Sequence, residues 1–263
     1  MGMILTVGDA AFSYDGTRTI FEGVSFSVDR GECLCILGPN GTGKSTLIKC
    51  LINVLPLDAG TIELDGREIT SLSRTEVARQ IAYVPQAHQI VFPFDVIDFV
   101  LMGRAPHLSL FASPGRADRK VAEEALVTVG IDHLAHRPVS EISGGELQLA
   151  LIARALAQQP AVMVLDEPTS HLDFGNQVRV LRLIERLAKE GIAVVMTSHF
   201  PDHSFIIPQH VAIMKDGGFI AVGPAEEVLT PGHLGTAYGI DVTITYVEEA
   251  GRMVCIPSVC RTP

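Results

Sequence analysis

The run Gly38-Pro39-Asn40-Gly41-Thr42-Gly43-Lys44-Ser45-Thr46 constrains this chain more than any other feature. It fits G-x-x-x-x-G-K-[ST] without a mismatch. Such a loop needs a buried strand before it and a helix after it. Cys33 to Leu37 is short and apolar, and Ser45 to Leu55 contains neither Gly nor Pro, so both flanks suit. Strand, glycine loop and helix together predict an α/β core. Glycines let the backbone wrap a polyphosphate so that main-chain N–H groups point inward. The helix N-terminus adds partial positive charge at the same spot. Lys44 can then reach the β- and γ-phosphates, Ser45 offers a hydroxyl to Mg²⁺, and Thr46 lies near the α-phosphate. The alternative is a glycine-rich turn before an unrelated helix, and length, spacing and context all argue against it.

A chain of 263 residues leaves one or two domains open and has ample length to bury a core. Hydrophobic residues make up 47% and charged residues 19%, which excludes a disordered chain. The formal net charge of -10 argues against nucleic acid as a partner, since phosphate backbones need clustered Lys and Arg. The most apolar stretches are broken by Asp95 and Asp98, by Arg154 or by Asp166-Glu167. No spanning helix of about 20 apolar residues is expected. Met1 to Asp9 lacks the pattern of a signal peptide, so a cytosolic location is expected. The five cysteines form no C-x-x-C pair and read as free thiols, with Cys33 and Cys35 packed in the core.

Residues 3–37 alternate apolar and polar positions, with turn signals at Asp15-Gly16 and Asp29-Arg30-Gly31. They predict antiparallel strands. Residues 60–69 predict a hairpin strand with a turn at Asp65-Gly66. About 87–160 is helical in pattern and reads as a subdomain inserted in the core. Strands return at Val162–Leu165 and Ile192–Met196, with a helix at Gln177–Lys189 between them, so a parallel sheet with crossover helices is expected. Val211 to Ile220 predicts a hairpin turning at Lys215–Gly218, and Val242–Tyr246 and Met253–Ile256 are candidates for a strand pair.

Val162 to Leu165 runs into Asp166-Glu167. Behind a phosphate loop, such paired carboxylates place Asp166 on Mg²⁺ and Glu167 as the general base for an attacking water. A solvated acidic strand end before Pro168 is the plainer reading. Ile142-Ser143-Gly144-Gly145-Glu146 follows, just before another helical stretch. With these motifs in hand, the chain resembles the nucleotide-binding subunit of an ATP-binding-cassette transporter over roughly residues 3–230. The resemblance implies a P-loop NTPase core with a mixed sheet, an N-terminal antiparallel β subdomain and an inserted α-helical subdomain. It implies one cassette, with about 1–86 and 161–240 as the core, 87–160 helical and 241–263 as C-terminal strands.

The same resemblance assigns further roles. Ser143, Gly144, Gly145 and Glu146 form the signature, which faces the γ-phosphate held by a second copy in a head-to-tail ATP sandwich. Tyr14 stacks on adenine, Gln86 senses Mg²⁺ and water, Asp173 reaches across the dimer, and His199 contacts the γ-phosphate. Plainer readings stand beside these: a strand tyrosine, a loop glutamine, a helix N-cap at Asp173 and a surface histidine. His133 and His136 are expected to be solvated. Two stretches, Phe94–Asp98 with Leu101–Arg104 and Glu167–Gln177, together with Tyr238-Gly239-Ile240, resemble the importers of metal chelates: ferric siderophores, haem or cobalamin. Implied partners are multi-spanning membrane permease subunits, seated on a groove near Phe92, Phe94 and Phe99, and indirectly an extracytoplasmic binding protein. Core packing is the rival account of those phenylalanines. A location at the cytoplasmic face of the membrane follows from the same resemblance. A soluble cassette ATPase that moves nothing, such as an iron–sulfur-assembly protein, would share every nucleotide motif. The chain departs from the family at Leu147 and Leu149, where polar residues are common, and near Ile207-Pro208-Gln209-His210.

Overall fold

The computed structural model describes residues 3–86, 93–109, 111–207 and 210–258. In chain order the strands and helices begin with β1 (Met3–Ser13), β2 (Thr19–Asp29), β3 (Cys33–Leu37), α1 (Lys44–Leu51), β4 (Ala59–Leu64) and β5 (Arg67–Glu68). Next come α2 (Arg74–Gln80), β6 (Ile81–Val84), α3 (Val96–Leu101), α4 (Arg116–Val129), α5 (Gly144–Ala157), β7 (Val162–Leu165) and α6 (Phe174–Lys189). The chain then runs through β8 (Ala193–Ser198), β9 (His210–Lys215), β10 (Gly218–Pro224), α7 (Ala225–Val228), α8 (Pro231–Tyr238), β11 (Val242–Val247) and β12 (Arg252–Pro257).

The main sheet has the order β10-β9-β3-β8-β7-β6. It is parallel except for β10, which returns antiparallel on β9 through Asp216-Gly217, both at positive φ. A smaller antiparallel sheet has the order β2-β1-β4-β5. The expected α/β architecture with its N-terminal antiparallel layer is thus present. One expectation needs correcting. Residues 3–37 do not all belong to the antiparallel layer, because β3 lies between β8 and β9 and runs parallel to both. Its pattern explains this: all five residues are buried, whereas β1 and β2 alternate. A strand covered on both faces belongs inside a parallel sheet. The α1 helix is also shorter than expected. Asn53 takes a left-handed φ of 56°, and the N–H groups of Val54 and Leu55 both bond to the Lys49 carbonyl, which winds the helix shut.

The two faces of β3 and β7 serve two cores. Cys33, Cys35, Leu37, Met163 and Leu165 pack with the helices α3, α4 and α5. Leu34, Ile36, Val162 and Val164 pack with the antiparallel layer and α1. Leu149 is buried in the first of these cores and Leu147 packs against it, so the two apolar departures after the signature face inward. Phe99 is buried there too, under the Arg154 guanidinium at 4.7 Å. Core packing therefore accounts for it. Phe94 is partly exposed, and Phe92 lies outside the described residues.

Arg104 fastens the helical region. Its buried guanidinium donates to Asp118 Oδ1 (3.0 Å), the Ala157 carbonyl (2.8 Å) and Gln159 Oε1 (2.8 Å). The predicted C-terminal pair forms as β11 and β12. It docks on the 3-10 turn Pro201–Phe205, where the Cys255 N–H donates to Asp202 Oδ1 (3.0 Å) and Arg252 lies 3.5 Å from the same oxygen. Among the described residues no helix is long and apolar enough to cross a membrane.

Candidate functional site

All the chemistry-bearing residues of the core sit at one edge, where β3, β7 and β8 end side by side. In an open α/β sheet ligands bind beyond the carboxyl ends of the strands. The glycine loop leaves β3 there. Gly38 passes so close to β9 that an added Cβ would lie 2.3 Å from the Met214 carbonyl oxygen. Only glycine fits. Thr42 Oγ1 donates to the Pro39 carbonyl (3.0 Å) and draws the loop into a ring. Lys44, the first residue of α1, folds back over it, and Nζ donates to the carbonyls of Gly38 (2.7 Å) and Pro39 (2.9 Å). Burial pushes this ammonium below its ordinary pKa, against the pull of Glu167 and Asp166.

The acidic pair is held by strand β8. Thr197, fully buried, donates through Oγ1 to Asp166 Oδ1 (2.7 Å) and accepts from the Glu167 N–H (2.8 Å). Asp166 Oδ1 also accepts from Ser45 Oγ (3.1 Å). Glu167 adopts a left-handed φ of 47°, unusual for a non-glycine residue, and turns its side chain towards the loop. Its Oε1 lies 3.8 Å from Lys44 Nζ. Its Oε2 accepts from Gln86 Nε2 (2.9 Å) and lies 3.1 Å from His199 Nδ1. Lys44, Gln86 and His199, from the loop and two strand ends, thus meet on the carboxylate of Glu167.

A cleft of about 410 Å³ opens over this cluster, lined by Asn40, Gly41, Gly43, Lys44, Ser45, Thr46, Gln86 and Glu167, with Ile20 at its rim. Tyr14 is 60% exposed, and its hydroxyl pairs with Thr46 Oγ1 at 3.2 Å. Its ring stands edge-on to Phe12, with centroids 5.0 Å apart. Among the described residues no three His, Cys, Asp or Glu side chains are arranged to hold a metal ion. The oxygens of Ser45 and Asp166, with Gln86 nearby, are hard donors that suit Mg²⁺ shared with a phosphate rather than an all-protein cage.

Ser143, Gly144, Gly145, Glu146 and Asp173 do not line this cleft. Each has a local role. Ser143 caps α5 in a reciprocal box with Glu146: Ser143 N–H donates to Glu146 Oε2 (2.7 Å), and Glu146 N–H donates to Ser143 Oγ (3.3 Å). Asp173 caps α6, accepting from the Asn176 N–H at 2.9 Å. His133 and His136 are exposed, as expected.

Three residues of this neighbourhood escaped the sequence reading. Thr197 looks like any polar residue in a strand, and only pairing of β8 beside β7 reveals its partners. Ile20 reaches the cleft because β2 passes Gly43, where an added Cβ would lie 3.2 Å from it. His203 is buried, with Nδ1 at 2.9 Å from Ser198 Oγ and 3.3 Å from Thr169 Oγ1, which ties the end of β8 to the segment after Glu167. Burial, and then the charge of His199, hold its pKa down at about 4.

Comparison with known proteins agrees with this geometry. A family model described as ABC transporter matches residues 21–170. An uncharacterized ABC transporter ATP-binding protein of Haemophilus influenzae is 40% identical, over 90% of this chain and 89% of its own length. The iron(3+)-hydroxamate import ATP-binding protein of Bacillus subtilis is 35% identical, over 92% of this chain and 90% of its own. The hemin import ATP-binding protein of Thermobifida fusca is 37% identical, over 92% and 84%. Among solved structures, a chain of an ABC transporter assigned to the metal-chelate type, in an inward-facing conformation, superposes with a TM-score of 0.87. That chain is 32% identical, and the match covers 98% of this chain and 99% of the other. This chain therefore belongs to the ATP-binding subunits of the ABC transporter family and is similar, along nearly its whole length, to ATPases named for siderophore and hemin import.

Proposed function

We propose that this chain is the ATPase that powers import of a metal chelate (ferric siderophore, haem, cobalamin or similar) from the cytoplasmic face of a membrane. The observation that carries the ATPase part is the meeting of Lys44, Gln86 and His199 on Glu167 beside the phosphate loop. Likeness to the metal-chelate ABC transporter supports the importer class. It leaves only about five residues of this chain unmatched, so the C-terminal hairpin is largely within the match. A match to cbiO1 of Clostridium perfringens, described as part of an ABC transporter complex, covers 89% of this chain. The whole chain is proposed as one cassette, with 1–86 and 161–240 as core, 87–160 as helical subdomain and 241–263 as a terminal ribbon.

The triphosphate of ATP enters the ring of loop amides, with Lys44 on its β- and γ-phosphates and the adenine on the exposed Tyr14 ring. Mg²⁺, held by Ser45, Asp166 and Gln86, neutralises phosphate charge when bound. Ser143–Glu146 and Asp173 of a second copy complete the site from the far side. Glu167 Oε2 then takes a proton from the attacking water, while Gln86 and His199 orient the carboxylate and the γ-phosphate. A second cleft, of about 550 Å³, lies between α2, the segment Met102–Pro106 and α5, lined by Arg74, Val77, Tyr83, Met102, Pro106 and Arg154. We propose it as a seat for a short helix of a permease subunit; of the groove expected near Phe92, Phe94 and Phe99, Phe99 is core and Phe92 lies outside the described residues. Cargo recognition then belongs to the permease and to an extracytoplasmic binding protein, with no nucleic acid involved.

Glu167→Gln tests the site. Hydrolysis is expected to fall by about 10²-fold or more, the usual worth of a general base, while Mg-ATP still drives dimerisation. Unchanged hydrolysis would remove Glu167 from the mechanism. For transport, cells lacking this chain are expected to lose metal-chelate uptake and regain it with the wild type but not with Glu167→Gln. Co-purification with a soluble scaffold and unaltered uptake would overturn the importer reading.

A further inference from the structure

The two segments assigned to the far side of the sandwich touch one another within a single chain, and Asn176 makes the contact. Gly145 is buried at the start of α5, and an added Cβ there would lie 2.5 Å from Asn176 Cγ and Nδ2 and 2.8 Å from Oδ1. The amide plane of Asn176 is therefore pressed on the bare face of Gly145. Gly144, by contrast, has open space where a Cβ would stand. The signature turn thus shows one glycine outward and seats the other on Asn176. The same amide donates from Nδ2 to Asp173 Oδ2 (2.7 Å), and the Asn176 backbone N–H donates to Asp173 Oδ1 (2.9 Å). These bonds hold the Asp173 carboxyl below its ordinary pKa. An N-cap needs only the backbone bond. The side-chain bond and the contact with Gly145 go beyond capping.

We propose that Asn176 is a positioning residue that locks the Asp173 loop and the Ser143–Gly145 turn into one rigid edge, the edge presented to a second copy of this chain when ATP closes the dimer. This rests on the sandwich reading above. Preorganisation of that edge lowers the ordering cost of closure. Without Asn176, each segment must find its place separately after the copies meet.

The test uses the full chain in a Glu167→Gln background, with Mg-ATP as the probe. Nucleotide affinity of the monomer is measured with a fluorescent ATP analogue at low protein concentration, and dimerisation by light scattering during gel filtration. Asn176→Ala is expected to keep nucleotide affinity within about twofold and to weaken dimerisation about tenfold. Asn176→Asp, which sets a second carboxylate against Asp173, is expected to weaken it further. Gly145→Ala supplies a coupling readout. Its damage to dimerisation is expected to be severe alone and smaller in the Asn176→Ala background, because the obstructing amide is gone. Failure of the Glu167→Gln parent to dimerise would sink the sandwich itself. A parent that dimerises, with Asn176→Ala dimerising equally well, overturns only the role given to Asn176. So do strictly additive effects of Asn176→Ala and Gly145→Ala.

Discussion

Replacing Thr197 with valine probes the site from behind, without touching the cleft. The two side chains have nearly the same shape, so no cavity opens and the change is polar. Thr197 is fully buried, and its hydroxyl does two jobs: it donates to Asp166 and accepts from the Glu167 N–H. Stranding a buried amide costs about 1–3 kcal/mol, and a hydrogen bond to a charged group contributes about 1.5–3 kcal/mol. Asp166 Oδ1 keeps its bond from Ser45, so its share falls at the low end. The sum is about 3 kcal/mol. The chain contains no Trp, so urea unfolding is followed by far-UV circular dichroism. With a urea slope of about 3 kcal/mol/M, the midpoint is expected to drop by about 1 M. Thr197→Ser keeps the hydroxyl and loses one methyl, about 1 kcal/mol. Valine is therefore expected to be the more damaging change, although it is the better shape match. If Thr197→Val proves at least as stable as Thr197→Ser, the hydroxyl does not hold the carboxylate pair and this account of the site's rigidity is wrong.

Lys44→Ala removes the cation from the loop, and loss of ATP binding is expected in a fluorescent-nucleotide titration; unaltered affinity would refute its role. Arg104→Met strips a donor from Asp118, the Ala157 carbonyl and Gln159, and a lower midpoint is expected in chemical unfolding. His203 supplies a pH dependence. Its folded pKa is about 4 against an ordinary 6.5, so between those values the unfolded chain binds a proton that the folded chain refuses. Stability is then whole above pH 6.5 and falls as pH drops towards 4, by at most about 3 kcal/mol. His199 and Asp202 are the charged groups that act on the ring. His203→Gln is expected to flatten melting temperature against pH in this window; an unchanged profile would assign the acid sensitivity elsewhere.

The phosphate loop and the strand before the acidic pair were legible because both are local. Their residues act within a few positions of one another, and the sequence carries the turn chemistry openly. The hairpin at Asp65-Gly66 was legible for the same reason: Asp65 and Gly66 both take positive φ, as such a turn requires. The sheet assignment of β3 was less plain, since an apolar run does not say which strands flank it. Thr197, His203 and Asn176 were not legible at all. Each has at least one partner that the strand order or helix packing brings near from elsewhere in the chain (Asp166, Thr169 or Gly145), and a lone Thr, His or Asn carries no sign of it. Phe99 misled for a related reason. An aromatic residue beside a loop suits a docking surface and a core equally, and only its burial beneath Arg154 settles the matter.

The ribbon β11–β12 grips Asp202, three positions beyond the histidine that touches Glu167. The ribbon is therefore tied, through the turn Pro201–Phe205, to the strand end that carries His199. With His199 in its proposed role, a pull on the ribbon is expected to change turnover, read as a shift in ATP hydrolysis rate. Loss of β11–β12 is expected to free Asp202 and so to loosen the His199 imidazole beside Glu167.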